Sequence, residues 1–307
     1  MTPAQGLGSQ ARDVAAAIRR LTRSTGGDVQ EIQTLYVLEA LLSRLAVSPN
    51  RDDFVLKGSA LLAAFAVRRP TRDIDLQATG LANDADEVAE RIRQIAITQL
   101  ADGVVVDPTS IRSAAIRDDN EYTGIRIKII GILGTARLTI GVDVNFGDPI
   151  WPTPQLTGLP RIVDIGQAPI QLLAYPLTMI LAEKLVTAIE RGDANTRWRD
   201  FADIYTLMRV SSVDAHSLVA SLATVADYRQ AELRPLLPFL ERMPRIAQPK
   251  WRAWRSRVHR EDELPADFAA VVNAIGAFVD PILARARTQG TWRPGSQTWE
   301  EIDITDD

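Results

Sequence analysis

The chain has 307 residues, 46% hydrophobic and 24% charged, with a formal net charge of −4, a length that suits two domains or one large one. It has no cysteine and only two histidines, His216 and His259, which excludes disulfides and thiolate metal sites, so any metal must be held by carboxylates, and those favour a hard cation such as Mg²⁺. No apolar run reaches the roughly 18 residues a membrane helix needs, and the N-terminus lacks the basic-then-apolar pattern of a secretory signal, so the cytoplasm is the expected compartment and no membrane the expected partner.

In chain order, helical periodicity covers about residues 10–22 and 28–47, the second run carrying Leu35, Leu38, Leu42 and Leu45 before Pro49-Asn50 ends it. FVLKGS is a short apolar run that breaks at Gly58, and ALLAAFA reads as a short helix directly after Ser59. Beyond Pro70, DIDLQA alternates as a strand, and residues 84–101 return to a helical period. Three strands are predicted at about 104–116, 124–131 and 136–146. In the last, Leu138, Ile140, Val142, Val144 and Phe146 face one way and Thr139, Gly141, Asp143 and Asn145 the other.

Residues 148–176 are proline-rich and read as a connecting segment. From there to about 287 the pattern is helical, with breaks near Gly192, Pro235–Pro249 and Pro265. Strands first and helices afterwards predict an α+β fold, a mixed sheet flanked by helices, followed by a C-terminal α-helical domain. The expected boundaries are 1–165 for the N-terminal helices and core, 166–290 for the helical domain and 291–307 for a flexible tail, whose last eight residues carry five acids.

The sharpest feature is Lys57-Gly58-Ser59 at a strand end, followed by Asp73-Ile74-Asp75. Alternation puts Asp73 and Asp75 on one face of their strand, where two close carboxylates repel unless a cation lies between them. Mg²⁺ commonly shares its shell between carboxylates and substrate phosphates. Gly58 permits close backbone approach to a phosphate. Ser59, opening a helix, offers a hydroxyl, N–H groups and the positive end of a helix dipole. The bland alternative is a solvent-facing strand edge beside an N-capped turn; the conjunction of the two motifs favours the site.

Asp143 sits mid-strand on a polar face, where it either completes a three-carboxylate cage for one or two metals with Asp73 and Asp75 or is merely solvated. Lys184 falls inside the apolar stripe of Leu177, Leu181, Leu185 and Ala188, so it either snorkels or points its ammonium at an anion. Asp203 could pair with Arg199 at i,i+4, which leaves Asp200 the better functional candidate.

On these residues the sequence resembles the AbiEii/AbiGii-type nucleotidyltransferases, DNA-polymerase-β-like enzymes that include the MenT toxins of mycobacteria. KGSALLAAFAVRRPTRDIDL matches the family's opening pattern at Gly58, Ser59, Arg69, Thr71, Asp73 and Asp75. Its later lysine matches Lys184, with Arg191 trailing, and its Arg-Asp-x-x-Asp motif matches Arg199, Asp200, Asp203 and Ile204. The resemblance implies an NTP substrate and Mg²⁺, with Mn²⁺ as a substitute, held by Asp73, Asp75 and Asp143. It places Gly58, Ser59, Arg69, Thr71 and Lys184 against the nucleotide and makes Asp73, Asp75, Asp143, Lys184 and Asp200 catalytic. It further implies a toxin of a type IV-like toxin–antitoxin system with a cognate antitoxin, acting on RNA, foremost the tRNA 3′ end. Transfer to a small molecule or protein, or a non-catalytic binding role, are the alternatives. The stretch Arg242–Arg260 holds seven Arg/Lys residues and no acid. There Lys250, Arg252, Arg255 and Arg257 are candidate RNA contacts and Trp251 and Trp254 candidate stacking rings, although the tryptophan spacing is equally that of a core stripe.

Overall fold

The computed structural model describes residues 3–65, 67, 69–117 and 123–301. The chain divides into two compact units. The first comprises Met1–Ala64, Arg68–Gly147 and Gln155–Ala174, and the second Phe65–Val67, Asp148–Pro154 and Tyr175–Asp307.

In the first unit, helix α1 (Pro3–Thr25) buries Val14, Ala17 and Ile18, and begins well before the periodic run that predicts it. Helix α2 (Val29–Val47) starts where the Asp28 carboxylate accepts the Glu31 N–H at 2.9 Å, a side-chain N-cap. It buries Leu38, Leu41, Leu42 and Leu45. Its Arg44 is itself buried, paired with the buried Asp102 at 2.6 Å and donating to the Val104 carbonyl at 2.7 Å. Strand β1 (Phe54–Lys57) is buried along its whole length and runs into α3 (Gly58–Leu61), a single turn continued by a 3₁₀ stretch, Leu62–Phe65.

Strand β2 (Asp73–Ala78) follows, then α4 (Ala85–Ala96), capped by Asp84 and burying Val88, Ile92 and Ile95. The strands β3 (Val104–Arg117), β4 (Thr123–Leu133) and β5 (Ala136–Asn145) come next. The segment 148–176, expected to be a connection, contains two more strands, β6 (Gln155–Leu159) and β7 (Ile170–Ala174). The seven strands form one sheet in the order β3-β4-β5-β2-β1-β7-β6. It is mixed, because β2 pairs parallel to β5 and β1 parallel to β7 while the remaining pairs are antiparallel.

The alternation seen in the sequence decides the faces. Ile74, Leu76, Ile125, Ile127, Ile140, Val142 and Val144 are buried. The interleaved Asp73, Asp75, Arg126, Lys128 and Asp143 therefore share the opposite, polar face.

The second unit is built from α5 (Leu177–Arg191), α6 (Trp198–Val210), α7 (Ala215–Arg229), α8 (Met243–Arg257) and α9 (Phe268–Leu283). Its core is aromatic. Trp251 packs on Phe268 with ring centroids 5.0 Å apart, Trp254 on Trp198 at 5.1 Å, and Phe201 on Phe268 at 5.6 Å. A two-residue strand β8 (Val213–Asp214) joins β9 (Thr291–Arg293) and β10 (Thr298–Glu300) in a small sheet. Residues 291–301, read as the start of a tail, thus form a hairpin. Two tryptophans pin it: Trp292 donates to the Met208 carbonyl at 2.6 Å, and Trp299 stacks on Phe278 at 5.5 Å. The acidic residues 302–307 lie outside the described residues. Among the described residues no helix is long and apolar enough to cross a membrane.

Candidate active site

Gly58 has φ +65°, and a Cβ built there would lie 2.0 Å from Asp75 Oδ2. Both the left-handed backbone and the missing side chain are needed for the turn and the Asp75 carboxylate to occupy the same space. The Ser59 N–H donates to that oxygen at 3.3 Å, and Ser59 Oγ accepts from Arg69 Nη2 at 2.6 Å. Ser59 lies second in a one-turn helix, so local N–H groups and its hydroxyl proton, rather than a long helix's dipole, are what it can offer an anion. Ser59, Arg69 and Thr71 line a common cavity floored by Leu42, Ala60, Ala63 and Leu159. Thr71 also exchanges hydrogen bonds with the Asp73 backbone, which fixes where β2 begins.

Strand register assembles the rest. Lys57 lies opposite Asp75, Asp75 opposite Asp143, and Asp143 opposite Arg126. The polar face therefore carries a row across four strands in the order cation, carboxylate, carboxylate, cation. In the adjacent row Asp73 is opposite Gly141 and Gly141 opposite Lys128. A Cβ on Gly141 would come within 2.1 Å of Asp73 Oδ1, so the glycine is what makes room for that carboxylate. Burial raises the Asp73 carboxyl above its ordinary range and the negative charge of Asp143 raises it further, with Arg126, Arg72 and Lys128 pulling the other way.

Asp143 does not stand free to complete a three-carboxylate cage. Arg126 grips both its oxygens, Nε to Oδ1 at 2.7 Å and Nη2 to Oδ2 at 2.5 Å, the fork geometry that makes such pairs strong. The hydrogen bond to Asp143 raises the already high pKa of Arg126. Among the described residues no group of three or more acidic or histidine side chains is arranged to hold an ion. Asp73 and Asp75 share a face of β2 and both are partly open, so these are the two carboxylates that would be available to a hard cation.

In the second unit Lys184 neither snorkels nor stands alone. Its Nζ donates to Asp200 Oδ1 at 2.6 Å and to Asp203 Oδ2 at 2.9 Å, and Asp203 is 0% exposed. Asp203 thus receives the lysine that the helical spacing had not offered it, while the Arg199 guanidinium lies 5.2 Å from the centre of the Trp198 ring. Along α8, Lys250, Arg252 and Arg257 are exposed and Arg255 is partly so. The tryptophans among them are not stacking platforms. Trp251 is 0% and Trp254 4% exposed, and Trp251 Nε1 donates to the Pro265 carbonyl at 2.9 Å; the three-and-four spacing was that of a core stripe.

Sequence reasoning passed over Arg126, Lys128 and Gly141. The signal was present in TGIRIKIIG, where two cations alternate with isoleucines, but their partners are set by register between distant strands.

The family described as "Nucleotidyl transferase AbiEii toxin, Type IV TA system" matches residues 40–274. No curated protein matches the chain significantly. Among solved structures, a Helicobacter pylori protein described as a nucleotidyltransferase aligns at TM-score 0.51 and 13% identity, covering 85% of this chain and 99% of its own. JHP933 from Helicobacter pylori aligns at 0.49 and 12%, covering 84% and 95%. MenT4, a nucleotidyltransferase toxin from Mycobacterium tuberculosis, aligns at 0.46 and 18%, covering 88% and 99%.

Proposed function

The chain belongs to the AbiEii family of nucleotidyltransferase toxins, and we propose that it transfers NMP from an NTP to an RNA acceptor, foremost the 3′ end of a tRNA, as the toxin of a type IV toxin–antitoxin pair in the cytoplasm. One observation carries the catalytic part: the Gly58-Ser59 turn is fitted directly against Asp75, with Asp73 on the same face of β2.

The reaction is in-line attack of an acceptor hydroxyl on the α-phosphorus, forming the new P–O bond as the bond to the pyrophosphate leaving group breaks. Asp73 and Asp75 would hold a divalent cation, Mg²⁺ or Mn²⁺, which would supply neutralisation of the triphosphate and of charge developing on the transferred group. Ser59, through its hydroxyl, binds a phosphate oxygen, and Arg69 holds that hydroxyl in place. Thr71 fixes the entry of β2, so its contribution to the nucleotide site is one of placement. The resemblance puts Lys184 on the phosphates and leaves Asp200 either to orient it or to contact the nucleotide or acceptor; the 2.6 Å contact between them supports the orienting role.

An RNA acceptor is what the resemblance implies, and the exposed cations Lys250, Arg252 and Arg257 on α8 support it. The partner antitoxin follows from the type IV assignment of the family. The test is to incubate the protein with total RNA and each α-labelled NTP, then digest the product with ribonuclease and, separately, protease. Label in a tRNA-sized, ribonuclease-sensitive species supports the proposal. Label in protein or a small molecule overturns the acceptor, and a binding-only role is indicated if no NTP is consumed.

A further inference from the structure

Two observations disagree with a three-carboxylate metal cage: Arg126 grips both oxygens of Asp143, and the pair is tied into the strand ladder at the register Arg126↔Asp143. A carboxylate held at both oxygens by a guanidinium offers a cation nothing without breaking a charge-assisted bidentate contact. Asp143 is 13% exposed at its side chain while Arg126 is 44% exposed. The carboxylate is thus the anchored end of the pair and the guanidinium the end that reaches solvent. A guanidinium has five N–H bonds. The Asp143 contact uses two of them, and the others can meet an anion arriving over the polar face. Lys128, two residues along β4, is exposed on the same face.

We propose that Arg126 is a phosphate-binding residue of the nucleotide site, anchored by Asp143, and that it occupies the place of a second metal ion so that the chain works with one divalent cation on Asp73 and Asp75. This rests on the nucleotidyltransferase reading above and deepens it. It reassigns Asp143 from metal ligand to positioning residue. Its carboxylate fixes the plane of the fork, and Arg126 supplies fixed positive charge to the triphosphate. A guanidinium is suited to this because it keeps its proton throughout and matches phosphate oxygens in a plane. No proton moves through the pair.

The test counts Mn²⁺ by the loss of its free-ion paramagnetic resonance signal, titrated into the full chain with an NTP whose α–β bridge cannot be cleaved. Nucleotide affinity is measured in parallel by calorimetry. The wild type is expected to bind one Mn²⁺ per chain with nucleotide, and Asp143→Asn still one. Arg126→Gln should weaken triphosphate binding by about tenfold to a hundredfold, the range for losing a charged hydrogen-bond donor. Because Arg126→Gln leaves a half-buried carboxylate unpaired, the double variant Arg126→Gln/Asp143→Asn, neutral at both positions, guards against misfolding and should show the same loss of affinity. Two Mn²⁺ in the wild type falling to one in Asp143→Asn would overturn the proposal while leaving the nucleotidyltransferase reading intact. Unchanged triphosphate affinity in the double variant would also overturn it. A wild type that binds no nucleotide would overturn both.

Discussion

Burial and the adjacent Asp143 charge raise the Asp73 carboxyl above its ordinary value of 3.8. A carboxyl whose pKa is higher folded than unfolded contributes stability that is present in acid and lost as the pH rises through its folded value. At neutral pH and without metal, ionised Asp73 therefore costs stability. Asp73→Asn is expected to raise the melting temperature of the metal-free protein at pH 7, with the gain over wild type shrinking as the pH falls through the raised folded value toward 3.8, while nucleotide transfer is lost. Thermal melts in chelator across that range check it, and a variant less stable than wild type at pH 7 would contradict it. Gly58→Ala must both adopt φ +65° and displace Asp75. It should cost about 1–3 kcal/mol in denaturant melts and lower transfer by more than tenfold, whereas equal activity would mean that Asp75 can move without consequence. Gly58, Ser59, Asp73 and Asp75 were legible in the sequence because their chemistry is carried by neighbours in the chain. Arg126 and Gly141 were not, because only the β4-β5-β2 register says what they face.

Elements were legible where period and length coincide. The β5 alternation and the α2 leucine spacing predicted what the structure contains. Strands β6 and β7 were hidden for physical reasons. β6 is an edge strand with Leu156 70% exposed, so its pattern does not alternate, and β7 is a five-residue run between prolines. The hairpin β9–β10 has three-residue strands whose only strong signal is their tryptophans. Helix α2 is tied to the start of β3 by the buried Arg44–Asp102 pair. Asp102→Ala leaves Arg44 without its counter-ion and should cost about 3–5 kcal/mol in urea melts; a loss below about 1 kcal/mol would show that the pair does not hold these elements. Helix α8 separates its two faces in the same way. Trp251→Ala opens the aromatic core and should cost about 3–5 kcal/mol. Neutralising Lys250, Arg252 and Arg257 together should change stability little yet reduce the salt dependence of RNA binding, and an unchanged salt slope would remove α8 from the acceptor surface.

At the scale of the whole molecule, an acidic protein with a formal charge of −4 presents a basic helix face and a polar sheet face on which two neighbouring carboxylates are flanked by cations. The α+β architecture was legible because the strands of the sheet precede the helical run α5–α9 in the chain. The division into two units was less so, since Phe65–Val67 and Asp148–Pro154 belong with the helical unit although they lie among the strands in sequence. On the proposed function, the polar face of β2, with the Gly58-Ser59 turn, moves a nucleotide and not merely a phosphate. The most direct measurement supplies NTP labelled separately at the α and γ positions, with Mg²⁺ and total RNA, and follows each label. The α label is expected to enter the acceptor and the γ label to leave in pyrophosphate, and both events to vanish in Asp73→Asn. Transfer of the γ label, or no turnover with any of the common NTPs in Mg²⁺ or Mn²⁺, would contradict it.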